Sequence, residues 1–293
     1  MTSAPDIYKI CPPPPAVAPF VERFLYADIN YNVDYQIRPF PTGRCFIGFV
    51  FRDPISSQRA AQRTSATGFH FCGQVGEDDI NVRYSGEIGH IMAELKPSAM
   101  LRLFGLPASE INGLSVDVRD FLPRRAVQRM FDHIAAARNQ AARIAAFSRM
   151  LLDQLRTQPD RRSIVDTIAA EIDRTHGQIK VRDLAEQFEI SQRTLTRQFT
   201  ETVGLAPKRY ASVARLNNTI RYLNAGPNPT LAKVAADTGY YDEAHMSHDF
   251  TRYFGMSPAR FIEARNAMVI SYAGAKPQDS PESLSPGSRF ALD

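Results

Sequence analysis

Two histidines three residues apart, His245 and His248, lie among three carboxylates in "GYYDEAHMSHDFTRYFGMSP" (239–258). Gathered on one helical turn, they would make a metal site or an acid–base cluster. Whether they converge depends on the phase of the helix that carries them. With Met246 and Phe250 turned inward and Tyr253 beside them, at about 100° per residue, the opposite face carries Ala244, Ser247, His248 and Thr251. His245 then points to a flank away from His248, and Asp242 serves as a helix cap. The expectation is no metal, no cofactor and no catalytic residue here. The face is instead one of small, hydrogen-bonding side chains suited to a DNA major groove.

The phase follows from a repeat. "VRDLAEQFEISQRTLTRQFTETVGLAPKRY" (181–210) aligns with "LAKVAADTGYYDEAHMSHDFTRYFGMSPARF" (231–261). Val181, Leu184 and Ala185 match Leu231, Val234 and Ala235. After one extra residue in the second turn, Leu195, Phe199, Gly204 and Pro207 match Met246, Phe250, Gly255 and Pro258. Each copy reads as a short helix, a tight turn, and a longer helix stopped by Gly with Pro three residues on. Ser191 and Asp242 are the expected N-caps of the longer helices. This is the helix-turn-helix outline, present twice.

On the first long helix, Leu195 and Phe199 turn inward and Arg193, Thr196, Arg197 and Thr200 turn outward. Arg can grip guanine O6 and N7 with two hydrogen bonds, and Thr can hydrogen-bond a base or meet a thymine methyl. A solvated charged face is the bland reading, and the duplicated context favours DNA. Ser191, Lys208 and Arg209, with the backbone amides at the helix starts, are the phosphate-contact candidates.

Residues 164–267 resemble the DNA-binding domain of the AraC/XylS family of bacterial transcription regulators. "ISQRTLTRQFTETVGLAPKRY" and "AADTGYYDEAHMSHDFTRYFGMSPARF" are similar to the family's two signature segments. Met246 stands where an aromatic is usual, and His248 where Arg is usual. The resemblance implies two helix-turn-helix units joined by one long helix, "PKRYASVARLNNTIRYLNAG" (207–226).

Further upstream, "CFIGFVF" (45–51), "FHFCGQV" (69–75) and "EIGHIMAELK" (87–96) read as strands, rich in β-branched and aromatic residues between turn formers. They suggest a small barrel or sandwich. "PSAMLRLFGLP" (97–107) reads as a short helix, and 123–158 as a helical hairpin divided at Asn139-Gln140. "CPPPP" (11–15) reads as a stiff polyproline lead, with an SH3-type ligand the lesser reading. This half is similar in layout to the cupin-like sensor or dimerisation domains of some AraC/XylS regulators. That likeness implies a small-effector site, dimer contacts, or both. The metal motif of true cupins is absent, and His70 and His90 read as isolated structural histidines.

Composition bounds the rest. The chain has 293 residues, more than one typical domain. A net charge of +4 and a pI near 9.0 lean only weakly toward polyanions. Cys11, Cys45 and Cys72, odd in number and without C-x-x-C spacing, read as reduced thiols of a cytoplasmic protein. No signal-peptide pattern and no membrane-spanning run occurs, nor any nucleophile-elbow, dinucleotide or P-loop motif. Asp78-Asp79 reads as a solvated loop.

The expected organisation is an α+β domain over 1–158, with a small cupin-like β-barrel followed by helices. A linker at 159–163, an all-α tandem helix-turn-helix domain over 164–270, and a disordered Pro/Ser-rich tail over 274–293 complete the chain. The expected function is a non-enzymatic, sequence-specific DNA-binding transcription regulator. Its partners would be double-stranded DNA, with a small-molecule effector, RNA polymerase and a second copy of the chain as further candidates and no membrane. The alternative is a small-molecule-binding or enzymatic β-barrel with a helical protein-interaction domain.

Overall fold

The computed structural model describes residues 7–39, 41–59, 62–75, 80–158, 163–224 and 230–264. The 76–79 loop, most of the expected linker and the tail from 274 lie outside the described residues.

The N-terminal half is an antiparallel sheet. Its strands are β1 (Lys9–Cys11), β2 (Val21–Ile37), β3 (Phe46–Val50), β4 (Ile55–Arg59), β5 (Gln62–Ala66), β6 (Phe69–Cys72), β7 (Ile80–Leu95) and β8 (Ser115–Asp117). The main path runs β1-β2-β7-β3-β6-β8, and β4 joins β7 and pairs with β5. The three strands expected from sequence are present, as β3, β6 and the second half of β7. The sequence reading missed β2, whose 17 residues mix apolar, charged and amide side chains. They hold together because β2 pairs with β7 along its length. A register shift between Ile29 and Val33 breaks the alternation, and Tyr31 is exposed there.

β3 is buried at every position because the sheet is covered on both faces. Strand alternation divides two cores. Ile47, Phe49, Phe69, Phe71, Ile91 and Ala93 face helices α1 (Ala99–Phe104), α2 (Arg124–Ala135) and α3 (Gln140–Arg156). Val127, Met130 and Ile134 of α2, and Phe147, Met150 and Leu151 of α3, fill that layer. Asn139 caps α3 by accepting from the Ala142 amide, so the hairpin divides where the sequence suggested. On the opposite face Phe46, Val50, Tyr84 and Met92 belong to a second core with Ile37 and Ile55.

The C-terminal half is helical. It comprises α4 (Ile164–Arg174), α5 (Val181–Gln187), α6 (Gln192–Val203), α7 (Pro207–Asn224), α8 (Leu231–Asp237), α9 (Glu243–Phe254) and α10 (Pro258–Ala264). They share one core, separate from those of the sheet. Every matched apolar position of the repeat contributes to it, fully or partly buried.

Candidate nucleic-acid interface

The two helix pairs α5/α6 and α8/α9 are built alike. In the first turn, the Ile190 amide reaches back to the Ala185 carbonyl at 3.0 Å; in the second, Tyr240 reaches Ala235 at 2.9 Å. Both turns need one left-handed residue. Gly239 supplies it in the second (φ +83°), whereas Glu189 takes it in the first (φ +54°). The longer helices are then capped at both ends. Ser191 accepts from the Thr194 amide at 3.1 Å, and Asp242 from the His245 amide at 2.7 Å. Gly204 and Gly255, both left-handed, close them.

Inner and outer faces separate as the repeat predicts. Leu195 and Phe199 of α6 and Met246 and Phe250 of α9 are fully buried. Arg193, Thr196 and Arg197 are exposed on α6, as are Ala244, His248 and Thr251 on α9, while Ser247 is half-buried. Thr200 departs from its expected outward placement. It is half-buried, and its hydroxyl is enclosed without a hydrogen-bond partner. It sits toward the C-terminal end of α6, a helix that packs on residues 108–111. Ser191 is exposed but already engaged as a cap; Lys208 is exposed at the start of α7, and Arg209 is half-buried. Tyr241, in the turn before α9, is 93% exposed, the most open large hydrophobic side chain among the described residues. The apolar periodicity gave no reason to single it out.

The histidines do not gather. His245 packs edge-on against Tyr240 at 5.2 Å, while His248 is exposed beside Asp249. Among the described residues, no group of three or more His, Cys, Asp or Glu is arranged to hold a metal ion. No described helix is long and apolar enough to cross a membrane.

The N-terminal half touches α6 from behind. The side-chain amide of Gln74 donates to the Val203 carbonyl at 3.0 Å, and that of Asn112 to the Gly204 carbonyl. These are carbonyls that a helix end leaves without internal partners. Nearby, Arg44 pairs with Asp173 at 2.6 Å and donates to the Tyr210 hydroxyl, which itself donates to Asp173 at 3.1 Å. Asp166 accepts from the Ser98 amide at 3.0 Å and from its hydroxyl. None of these pairings is legible from sequence spacing, because each joins residues 37 to 166 positions apart.

A cavity of about 420 Å³ lies on the second-core face of the sheet, lined by apolar side chains such as Phe46, Val82 and Met92 and by His70 and His90. The two histidines are not isolated, contrary to the sequence reading. Their rings stack with centroids 5.1 Å apart. The cause is β3, which lies between β6 and β7 and carries Gly48 opposite both His70 and Met92. With no side chain there, the two rings meet across the strand. Burial holds both imidazoles below their ordinary range, His70 at about 4 and His90 well below 6.5. Burial also pushes the Cys45 thiol up to about 12 and that of Cys72 to about 11, so neither is a thiolate at neutral pH.

Residues 184–264 match a family described as a helix-turn-helix domain, and residues 9–117 match a domain of unknown function. The transcriptional activator RhaS of Salmonella paratyphi B is 36% identical over 86 residues, or 29% of this chain and 31% of that protein. RhaS of Salmonella newport matches to the same extent. The match thus spans about a third of the length of these curated relatives. Among solved structures, ToxT of Vibrio cholerae aligns over 82% of this chain and 98% of its own, at 9% identity and a TM-score of 0.48. The DNA-binding domain of AdpA, solved with a target DNA, aligns over 36% of this chain and 96% of its own, at 26% identity and a TM-score of 0.33.

Proposed function

We propose that the chain is a sequence-specific, double-stranded-DNA-binding transcription regulator of the AraC/XylS type, a reading supported by the helix-turn-helix family match over residues 184–264 and the likeness to RhaS. The observation that carries this is the pair α6 and α9. Each is capped at both ends, buried on its repeat-matched face and exposed on the other. In this reading the two helix pairs are tandem helix-turn-helix units on the long helix α7. Their outer faces enter successive major-groove segments on one side of a duplex, about 34 Å apart.

Arg193, Thr196 and Arg197 read bases in one segment. Ala244, Ser247, His248 and Thr251 do so in the other, and Lys208, Arg209 and Ser191 lie nearest the phosphates. Thr200, with its hydroxyl enclosed, serves the helix rather than the groove. The 1–158 half is a cupin-like sensor or dimerisation domain, and its cavity is the place for a small effector. RNA polymerase and a second copy of the chain are the protein partners this reading implies.

The test is a titration of the whole protein against genomic DNA fragments at several salt concentrations. Neutralising several phosphates makes the logarithm of affinity fall linearly with the logarithm of salt, at about 0.9 per phosphate. A steep slope, with recovery of a discrete sequence, supports the proposal. No binding at low salt would overturn it in favour of a small-molecule-binding or enzymatic barrel with a helical protein-interaction domain.

A further inference from the structure

The corner made by His70, His90 and Gly48 is chemically incomplete. A Cβ placed on Gly48 would lie 2.6 Å from His70 Nε2 and 2.8 Å from His90 Nε2, so both nitrogens converge on the bare glycine. His90 Nε2 is enclosed and has no hydrogen-bond partner, in a side chain that is 2% exposed. A polar atom buried without a partner costs about 1–3 kcal/mol and calls for a partner that the chain does not supply.

The other ring nitrogens narrow what that partner can be. His70 Nδ1 lies 3.2 Å from the Gly68 carbonyl. A carbonyl only accepts, so Nδ1 carries the hydrogen and Nε2 of the neutral ring is an acceptor. His90 Nδ1 lies 2.6 Å from the Tyr8 hydroxyl, which lies 2.9 Å from the Tyr84 hydroxyl. If Tyr84 donates to Tyr8 and Tyr8 to His90 Nδ1, then Nε2 of His90 bears the hydrogen. In that tautomer the corner offers one donor and one acceptor side by side. A hydroxyl satisfies both at once, accepting from His90 and donating to His70. A carboxylate is acceptor-only when ionised and would face the His70 lone pair.

We infer that the cavity binds an uncharged, largely apolar alcohol or phenol, with its hydroxyl entering from the cavity side, where the two rings part slightly to let it bridge His70 Nε2 and His90 Nε2. Its hydrocarbon part lies against Phe46, Ile55, Val82 and Met92, which line the same cavity. At about 420 Å³ the space lies within the usual range for small-molecule sites. This rests on the proposal that the N-terminal half takes a small effector, and it adds the chemistry of that effector.

The experiment uses the full chain and three probes of one shape: 4-tert-butylphenol, 4-tert-butylbenzoate and tert-butylbenzene. Calorimetry should show binding of the phenol at least tenfold tighter than of the other two. His90→Phe and His70→Leu should each remove that preference. In ¹⁵N spectra of histidine-labelled protein, the phenol should shift the Nε2 resonances of both rings. Equal or tighter benzoate binding, phenol binding indifferent to both variants, or unshifted Nε2 resonances each overturn the inference. So does binding of none of the probes. DNA titration of the same preparation separates the two claims: intact salt-dependent DNA binding with no phenol site refutes only this inference. Loss of DNA binding refutes the proposed function instead.

Discussion

His70 and His90 are neutral because the corner they share is desolvated. In the unfolded chain a histidine takes up a proton near pH 6.5; folded, His70 does so only near pH 4. Above about pH 6.5 the ring is neutral in both states and costs nothing. As pH falls from there toward 4, the unfolded state binds the proton first, and stability drops by roughly 3 kcal/mol for this residue alone. Melting temperatures measured from pH 7 to 4.5 should therefore decline, and His70→Leu should flatten the decline. A parallel decline in that variant would remove His70 as its source. A second expectation at this scale concerns unequal reading heads. Arg193→Ala should relax base preference in one half-site by about 1–3 kcal/mol, because the proposed bidentate Arg–guanine contact would be removed. Ala244→Ser should change little, since Ala244 offers only a methyl. Titration against single-base operator variants checks both, and equal loss in the two half-sites would refute the asymmetry.

Helices α6 and α9 stand on their caps and on buried aromatics. Phe250 stacks on Phe254 at 4.6 Å and meets Phe261 edge-on at 5.1 Å. Phe199 meets Tyr210 edge-on at 5.3 Å. Phe250→Ala or Phe199→Ala should lower stability by about 3–5 kcal/mol in denaturant titrations. Retention of stability with loss of DNA binding would show that the helical phase is wrong. Asp242→Ala removes the acceptor for the His245 amide and should cost about 1 kcal/mol. Legibility was good at this scale where period 3.6 and cap residues agreed, as in α3, α6 and α9, and in α2 from the period alone. It was poor for β2, β4 and β5, whose polar residues carry no strand signal. What makes them strands is pairing: β2 with β7, and β4 with both β5 and β7.

At the scale of the molecule, two halves with separate cores meet. The helical half has its own core, so residues 161–270 alone should fold and bind DNA. A soluble fragment without helical circular dichroism would count against that boundary. The sheet half nevertheless holds the end of α6 through Gln74 and Asn112, and holds α4 and α7 through Arg44. In the full chain, Gln74→Leu should raise amide exchange at the C-terminal end of α6 while leaving the sheet unchanged. Unaltered exchange there would show that the contact is incidental. Gln74 also follows Gly73, a cavity-lining residue, so one short segment both borders the cavity and supports the end of α6.

The sequence by itself determined the helical half. A repeated spacing of Leu or Met, Phe, Gly and Pro fixes which helix faces are inward, because the α-helical period leaves one phase that buries them all. From that phase followed the exposed arginines and the separation of His245 from His248. Only the tertiary structure decided the rest. His70 and His90 are twenty positions apart and meet solely because β3 places a glycine between their strands. Thr200, expected to face outward, has its hydroxyl enclosed, in a helix that packs against residues 108–111. Sheet register and contacts between halves depend on residues far apart in sequence, and local periodicity carries no record of them.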